Sequence, residues 1–575
     1  MKSVLAPLEN NLQWGRDFFT LLGNYVSYKI KTLRRTCTVH KEKGRAIQER
    51  KDKRMIKPDR DTIRKLAKKY TVIPISMELF GDSTTPIAVI RKLAQKSSRY
   101  YLLESVEGGE KWGRYSFLGC DPVMRVTCRR IQEKLPENGC GSDAEDSGER
   151  DSTEAKLSKE GRNRKVAGVV IEENGRKRRI ETARPLEILR DILKDYKAPV
   201  LPELPPFTGG FVGYFAYSMI GYAEPVLDIK EGNFSDYDVM LFDKVIAYDH
   251  LRQKLILIVN MKTDRVTENY GKACVEMEKL EALMRGELPE PEFEKEEIHF
   301  TCATAKEDYC RQVERTREYI RSGDIFQAVI SRQFQSTMRQ NLLNAYRVLR
   351  TTNPSPYMVY LHTEDEELMC TSPETLVRLG KGRLATFPVA GSRPRGRTED
   401  EDRALTEELL RDEKELSEHN MLVDLGRNDL GKISRFGSVA VTEYQMVHKY
   451  SRIMHICSQV EGDLREDLDA LDAIEAVLPA GTLSGAPKIR ACQIIEELER
   501  EPRGIYGGAV GYIDFAGNMD TCIAIRMAVR KDDVVYVQAG GGIVADSVPE
   551  TEYEESGNKA AAVIQAVIRA GEAAV

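Results

Sequence analysis

The sequence predicts an α+β fold, bilobal, with β-sheets packed on each other and flanked by helices. Three observations carry this. Short β-branched and aromatic runs alternate irregularly with helical periods, without the steady strand–helix–strand rhythm of a doubly wound parallel sheet. A charged fraction of 31% beside 41% hydrophobic residues is that of a globular chain. A length of 575 residues leaves room for two large lobes.

The elements follow in order. Residues 1–54 carry thirteen Lys and Arg against five acids, and they read as a basic extension, a solvated arm or a start codon placed too early. A helix over 64–70 and a strand over 71–75 open the first domain, 55–286. A helix over 87–93 and strands over 100–103 and 115–118 come next. The stretch 132–164 has no apolar periodicity and cannot bury enough surface to offset its ordering entropy, so it reads as a disordered insertion. A strand near 166–171, a helix over 185–196, the glycine–aromatic run 207–217, a hairpin over 244–259 and a helix over 266–285 complete this part. The acidic, proline-bearing stretch 287–298 is the best linker, and 299–575 forms the second domain. There, helices are expected over 306–322, 343–351, 407–427, 467–478, 485–500 and 550–572. The last strand is expected over 534–538.

The formal charge of −5 is small for this length and gives no reason to invoke nucleic acid or a membrane surface. Eleven cysteines without a C-x-x-C pair read as reduced thiols in a cytoplasm. No apolar run reaches the roughly 18 residues of a membrane span, and the apolar patch 18–22 lacks the flanks of a signal peptide.

The richest chemistry lies near the end of the chain. A strand runs into Gly540, Gly541 and Gly542, and Glu552 and Glu555 follow at helical spacing. Glycines allow close backbone approach to a ligand, and carboxylates one turn apart can share a hard cation such as Mg²⁺. The same glycines fit a dinucleotide fingerprint, but that fold needs a helix opening at them and a further strand, whereas one helix follows and the chain ends. A second pair, Glu415 and Glu418, has the same spacing. On its own each pair also reads as a solvated helix face. His455 alternates with apolar residues as on a buried strand, where a core histidine and a general base are both possible readings. The run 388–396 sets small residues beside basic ones, and 478–488 is a glycine-rich loop before a helix. Arg526 offers a bidentate fork for a carboxylate. No phosphate-loop signature and no paired Cys/His spacing supports nucleotide hydrolysis or zinc.

Taken in order, Thr-Ser-Pro-Glu ending at Glu374, Ala-Gly-Ser-Arg-Pro-Arg-Gly from Ala390, Lys-Glu-Leu-Ser-Glu-His ending at His419 and Gly-Thr-Leu-Ser-Gly-Ala-Pro-Lys from Gly481 resemble the chorismate-utilising enzymes. Tyr-Gly-Gly-Ala-Val-Gly-Tyr from Tyr506 and the closing glycines extend the match over about 55–131 and 165–565. Within that family it is most similar to the large subunits (component I) of anthranilate synthases.

The resemblance implies a Mg²⁺-dependent lyase that aminates chorismate and eliminates pyruvate. Glu418 and Glu555 would bind the metal, supported by Glu415 and Glu552. Gly391, Ser392, Tyr506, Arg526 and Gly540–Gly542 would hold the substrate. Ser392 departs from the threonine commoner in the family but keeps the hydroxyl. Glu374 matches the general acid, His455 the residue associated with pyruvate elimination, and Thr482 lines the pocket. Gln327 and Ala390 stand where relatives that use water or a lysine nucleophile carry lysines, which leaves direct attack by ammonia. No cysteine lies in an amidotransferase context, so a separate glutamine amidotransferase subunit is implied, in a heterotetramer of two large and two small subunits. Glu104 and Ser105, with Asn353, Pro356, Tyr357 and Met358, match a tryptophan feedback site. An aminodeoxychorismate synthase large subunit is the alternative among enzymes. A catalytically silent tryptophan-sensing subunit is the alternative outside them.

Overall fold

The computed structural model describes residues 56–105, 113–131, 166–289, 294–449 and 453–572. The extension 1–54 and the insertion 132–164 lie outside the described residues. Residues from Pro58 onward form one compact unit built on two twelve-stranded sheets, each with eleven strands in a row and a twelfth paired off that row, Gly485–Ala486 in the first and Ala440–Lys449 in the second. In order across the first sheet come Val72–Phe80, Lys254–Lys262, Lys244–Asp249, Tyr115–Cys120, Arg99–Glu104, Tyr357–Thr363, Glu366–Ser372, Met527–Lys531, Val534–Ile543, Gln327–Thr337 and Thr301–Cys302. Across the second come Val389–Pro394, Ile453–Asp463, Arg383–Thr386, Thr375–Gly380, Met519–Ile523, Ala509–Asp514, Gly210–Phe215, Tyr237–Phe242, Met124–Arg130, Ala167–Glu173 and Arg176–Thr182. All named pairings are antiparallel.

Strands from both sides of the 287–298 stretch share each sheet. Arg99–Glu104 pairs with Tyr357–Thr363, and Gly210–Phe215 pairs with Ala509–Asp514. The alternation of side chains along a strand explains how both faces are filled. In Gly210–Phe215, Val212 and Tyr214 enter the core between the sheets with Tyr101, Phe117, Val359 and Val510. Phe211 and Phe215 face the opposite way. There they meet Leu186 and Leu189 of the helix Pro185–Lys194 and Leu471, Ile474 and Val477 of the helix Ala470–Val477. Each such apolar side chain, once fully buried, contributes about 1.5–3 kcal/mol. Gly213 has no substitute, because a Cβ there would lie 2.1 Å from the Asp238 carbonyl.

Three local departures from the sequence expectation matter for the site. The helix expected over 407–427 is two helices, Glu399–Leu409 and Glu413–Gly431, because the Asp412 side chain caps the second by accepting from the Lys414 and Glu415 amides. The helix expected from 485 begins at Lys488, since Gly485 and Ala486 instead bridge to Ala328 and Gln327. The last strand runs past 538 to Ile543, so the three glycines lie within a sheet and no helix opens at them. That geometry removes the dinucleotide reading.

Two of the short turns at which the chain passes from one sheet to the other matter for the site. One lies between Glu366–Ser372 and Thr375–Gly380 and carries Glu374. The other lies between Met519–Ile523 and Met527–Lys531 and carries Arg526. The turns are tied together: the Ile523 amide donates to the Glu374 carbonyl and the Thr371 amide to the Arg526 carbonyl.

Candidate active site

Glu374 is the most perturbed carboxyl of the cleft. Its side chain is partly buried, and desolvation pushes its pKa up to about 8. The Thr482 hydroxyl, 3.2 Å away, and the Arg526 charge pull the other way without cancelling the shift. At neutral pH Glu374 is therefore a protonated acid able to give a proton away. Arg526 adopts φ 49°, a left-handed conformation that a non-glycine residue holds at some cost, and burial lowers its pKa. Among the described residues its guanidinium faces Glu374 without a carboxylate fork to occupy it, which leaves it ready for a carboxylate of a ligand.

The glycine strand forms the next wall. Antiparallel pairing sets Gly540 opposite Ser331, Gly541 opposite Ile330 and Gly542 opposite Val329. A Cβ on Gly540 would come 2.3 Å from the Ile330 carbonyl, and one on Gly542 would strike the Gln327 amide nitrogen at 2.2 Å. Gly541 is different: its Cβ would project toward the Glu552 carboxylate, 3.0 Å from Oε2. Its absent side chain opens the space in front of the acid. Gly391, at φ 67° on Val389–Pro394, does the same: a Cβ there would lie 3.2 Å from Glu415 Oε2. The phenol of Tyr506 is enclosed beside Gly540, whose amide donates to it, and burial raises its pKa.

Two helices bring the acids together. Glu415 and Glu418 lie on Glu413–Gly431, and Glu552 and Glu555 on Pro549–Glu572. Arg332 anchors the second helix by donating to Ser556 Oγ at 3.0 Å and the Tyr553 carbonyl at 2.7 Å, with its guanidinium over the Tyr553 ring. Glu418 stays open to water yet is crowded enough that partial desolvation, then the charges of Glu415 and Glu555, raise its pKa. Glu552 rises from burial and from Glu555. The four acids repel one another across the cleft. Among the described residues no three acid, imidazole or thiol groups converge tightly enough to hold a cation as they stand.

Lys559 tempers that repulsion and was missed at the level of sequence. Its ammonium lies 2.8 Å from Glu555 and 3.2 Å from the Gly540 carbonyl. Its position four residues after Glu555 on one helix is the signal that could have found it. Arg393, 3.7 Å from Glu415, was likewise passed over as part of a basic cluster.

His455 sits on Ile453–Asp463 opposite Ser392. Its Nδ1 lies 3.0 Å from the Gly391 carbonyl, which can only accept, so Nδ1 carries a proton. The Gln327 side chain is buried against Gly542, and its Oε1 has no hydrogen-bond partner among the described residues.

A second cavity, of about 610 Å³, opens elsewhere between the sheets. It is lined by Leu103, Glu104, Ser105, Pro356 and Tyr357 from the first sheet and by Arg378, Tyr512 and Asp520 from the second. Met358, buried opposite Glu104 in the register, and Asn353, whose carbonyl accepts from Thr371, are not among its lining.

Comparison with known proteins shows the family. The family described as chorismate binding enzyme matches residues 150–565. Anthranilate synthase component 1 of Acetivibrio thermocellus is 43% identical over 533 residues, covering 90% of this chain and all of that one. The protein of the same name from Aquifex aeolicus is 43% identical over 524 residues, covering 88% and 97%. Among solved structures, anthranilate synthase component I from Streptococcus pneumoniae superposes with a TM-score of 0.63 at 34% identity, covering 80% of this chain and 95% of that one. The menaquinone-specific isochorismate synthase of Escherichia coli shares the fold, with a TM-score of 0.61 at 16% identity over 88% of this chain and 98% of that one.

Proposed function

The chain belongs to the chorismate-binding enzyme family, and from that premise we propose that it converts chorismate and ammonia into anthranilate, pyruvate and water, with Glu374 as the proton donor. The observation that carries the reading is the carboxyl of Glu374 set at the turn between the sheets, within 3.2 Å of the Thr482 hydroxyl and facing Arg526.

Arg526 and the backbone of the glycine strand hold the substrate's carboxylates. Glu374 gives its proton to the C4 hydroxyl, which leaves as water while ammonia bonds at C2. The orphaned Oε1 of Gln327 is a hydrogen-bond acceptor for the incoming ammonia. His455 Nε2, positioned by Gly391, takes the C2 proton as the C3–O bond breaks and the ring becomes aromatic; that proton passes to the methylene carbon of the departing enolpyruvate to give pyruvate, and a proton from the added ammonium restores Glu374. Neither Gln327 nor Ala390 supplies an amine, so the nitrogen comes from free ammonia.

The donor set of Glu415, Glu418, Glu552 and Glu555 is all oxygen, and Gly391 and Gly541 leave the cradle before it clear, which suits Mg²⁺. Bound there, the ion supplies positive charge to the ring carboxylate. A partner amidotransferase subunit supplies the ammonia from glutamine, in a two-plus-two heterotetramer. Among the described residues no helix is long and apolar enough to cross a membrane, which is compatible with work in the cytoplasm. The 610 Å³ cavity falls within the roughly 300–1,000 Å³ of small-molecule sites and is the proposed place for tryptophan as feedback inhibitor.

The test is direct. Purified protein with chorismate, Mg²⁺ and ammonium should release pyruvate and a blue-fluorescent 2-aminobenzoate, whereas glutamine alone should not support turnover. A 4-amino product would overturn the assignment in favour of an aminodeoxychorismate synthase.

A further inference from the structure

Arg503 lies outside every substrate contact described above, yet its side chain is only 1% exposed. It donates through Nε and Nη2 to the two oxygens of Glu499, at 2.8 and 2.6 Å. The rest of the fork reaches two backbone carbonyls: Leu483 at 2.5 Å and Val329 at 2.7 Å. Its guanidinium lies 4.8 Å from the centre of the Tyr217 ring and 5.9 Å from that of Tyr506.

Each contact ends on a different wall of the cleft. Leu483 closes the short turn Gly481–Leu483 that carries Thr482, the donor to Glu374. Val329 is the register partner of Gly542. Glu499, held by Arg503, accepts from the Ser331 amide at 2.7 Å and hydroxyl at 2.9 Å, and Ser331 is the register partner of Gly540. The Tyr506 amide donates to the Arg503 carbonyl. A lysine could balance Glu499 but offers no planar fork to reach both carbonyls.

We infer that Arg503, through Glu499, is the positioning residue of this active site, fixing the Thr482 turn, the glycine strand and Tyr506 in one mutual geometry. It acts through these groups and touches no reacting atom. The inference rests on the reading of the cleft as the chorismate site. Its second consequence concerns protonation: loosening the Leu483 carbonyl frees Thr482 from Glu374. Thr482 is a donor that holds the Glu374 pKa down, so its loss moves that pKa further up.

The experiment compares the unmodified protein with Arg503→Lys and with the double variant Glu499→Gln/Arg503→Met, in which no buried charge is left alone. In both, kcat at saturating chorismate should fall about tenfold or more while KM moves far less, as expected when reacting groups drift from alignment. The alkaline limb of kcat should shift to higher pH. Amide hydrogen exchange at 329–331 and 482–484 should accelerate in the double variant at a melting temperature close to the parent's. A kcat that declines only with the folded fraction, an unmoved alkaline limb or unchanged exchange at those amides would each overturn the inference. Should the unmodified protein fail to turn over chorismate, the function reading falls, while the exchange measurement still decides the positioning role.

Discussion

The cavity beside Ser105 and the catalytic cleft are both shaped by the same two sheets, but their polar groups are treated in opposite ways. Around the cavity the carboxylates are satisfied. Glu104 is turned toward the helix Leu343–Thr352 and is engaged by Tyr346 at 2.8 Å, by both arms of Arg350 and by Ser116. Tyr357 donates to Asp520 at 2.7 Å, and Arg378 pairs with Asp520 at 2.9 Å. In the cleft they are left wanting. Glu374 has one hydroxyl donor, Gln327 Oε1 has none among the described residues, and two clusters of like charge face each other. The difference teaches what each place is for. A satisfied cavity costs little to keep folded and suits a ligand that fits by shape, whereas unsatisfied groups carry a stability cost that only a reacting ligand relieves.

The largest break in this comparison comes from satisfying the cleft. Glu374→Gln should lower kcat by about 10²–10⁴, the usual share of a general acid, measured by pyruvate release. The same change should raise stability at alkaline pH. An unfolded glutamate loses its proton near 4.5 and the folded Glu374 near 8. Between those values the folded state holds the extra proton, so its stability declines as pH rises through that window. A variant without the acid escapes this decline. Melting curves at pH 6 and pH 8.5 should diverge for the parent and run together for the variant. Turnover by the parent should also fall as pH rises through about 8, as the acid ionises.

The next effect tests the opposed acids. Glu418→Gln removes one member of a repelling set, so the apo protein should be no less stable, yet calorimetric titration with Mg²⁺ alone should show binding weakened about tenfold or more. Retained affinity would place the metal elsewhere. The change should also lower the pKa of Glu552 or leave it alone, never raise it, since one negative neighbour has gone.

Much of this site is legible in sequence because its chemistry is local. Glutamates at i and i+3 declare a helix face, and a glycine triplet after β-branched residues declares a place where backbone approaches a ligand. What sequence does not carry is the partner of each piece. Nothing local in 415–418 points to 552–555; the resemblance pairs them, and the fold gives the physical reason, two helices whose acids crowd one another. The pKa of Glu374 is equally invisible, since it comes from desolvation at a turn between two sheets. Boundaries failed where a side chain competed with the backbone, as at Asp412, or where a segment expected to be helical found a strand to bridge, as at Gly485. The role of Arg503 is invisible in sequence too, because its partners include carbonyls 20 and 174 residues away.

On the satisfied side of the comparison, effects should be confined to regulation. Ser105→Phe projects bulk toward the cavity without touching the Glu104 network. Tryptophan should then need about tenfold more to inhibit, with kcat within about twofold of the parent. Inhibition curves that superpose would remove the cavity as the feedback site.

The smallest effect is expected at Ser392→Thr, where the chain departs from the commoner residue. Ser392 lies on Val389–Pro394 just past an irregularity in the pairing after Ala390, directly opposite His455. A threonine keeps the hydroxyl in place and adds a methyl group that a pleated strand accommodates, so the backbone gains a little from its preference for β-branched residues. Turnover should stay within about twofold and the melting temperature should rise slightly, a change of a few tenths of a kcal/mol. A tenfold loss would mean that the added methyl group meets His455 or substrate, and that the serine is matched to a cleft narrower than the relatives suggest.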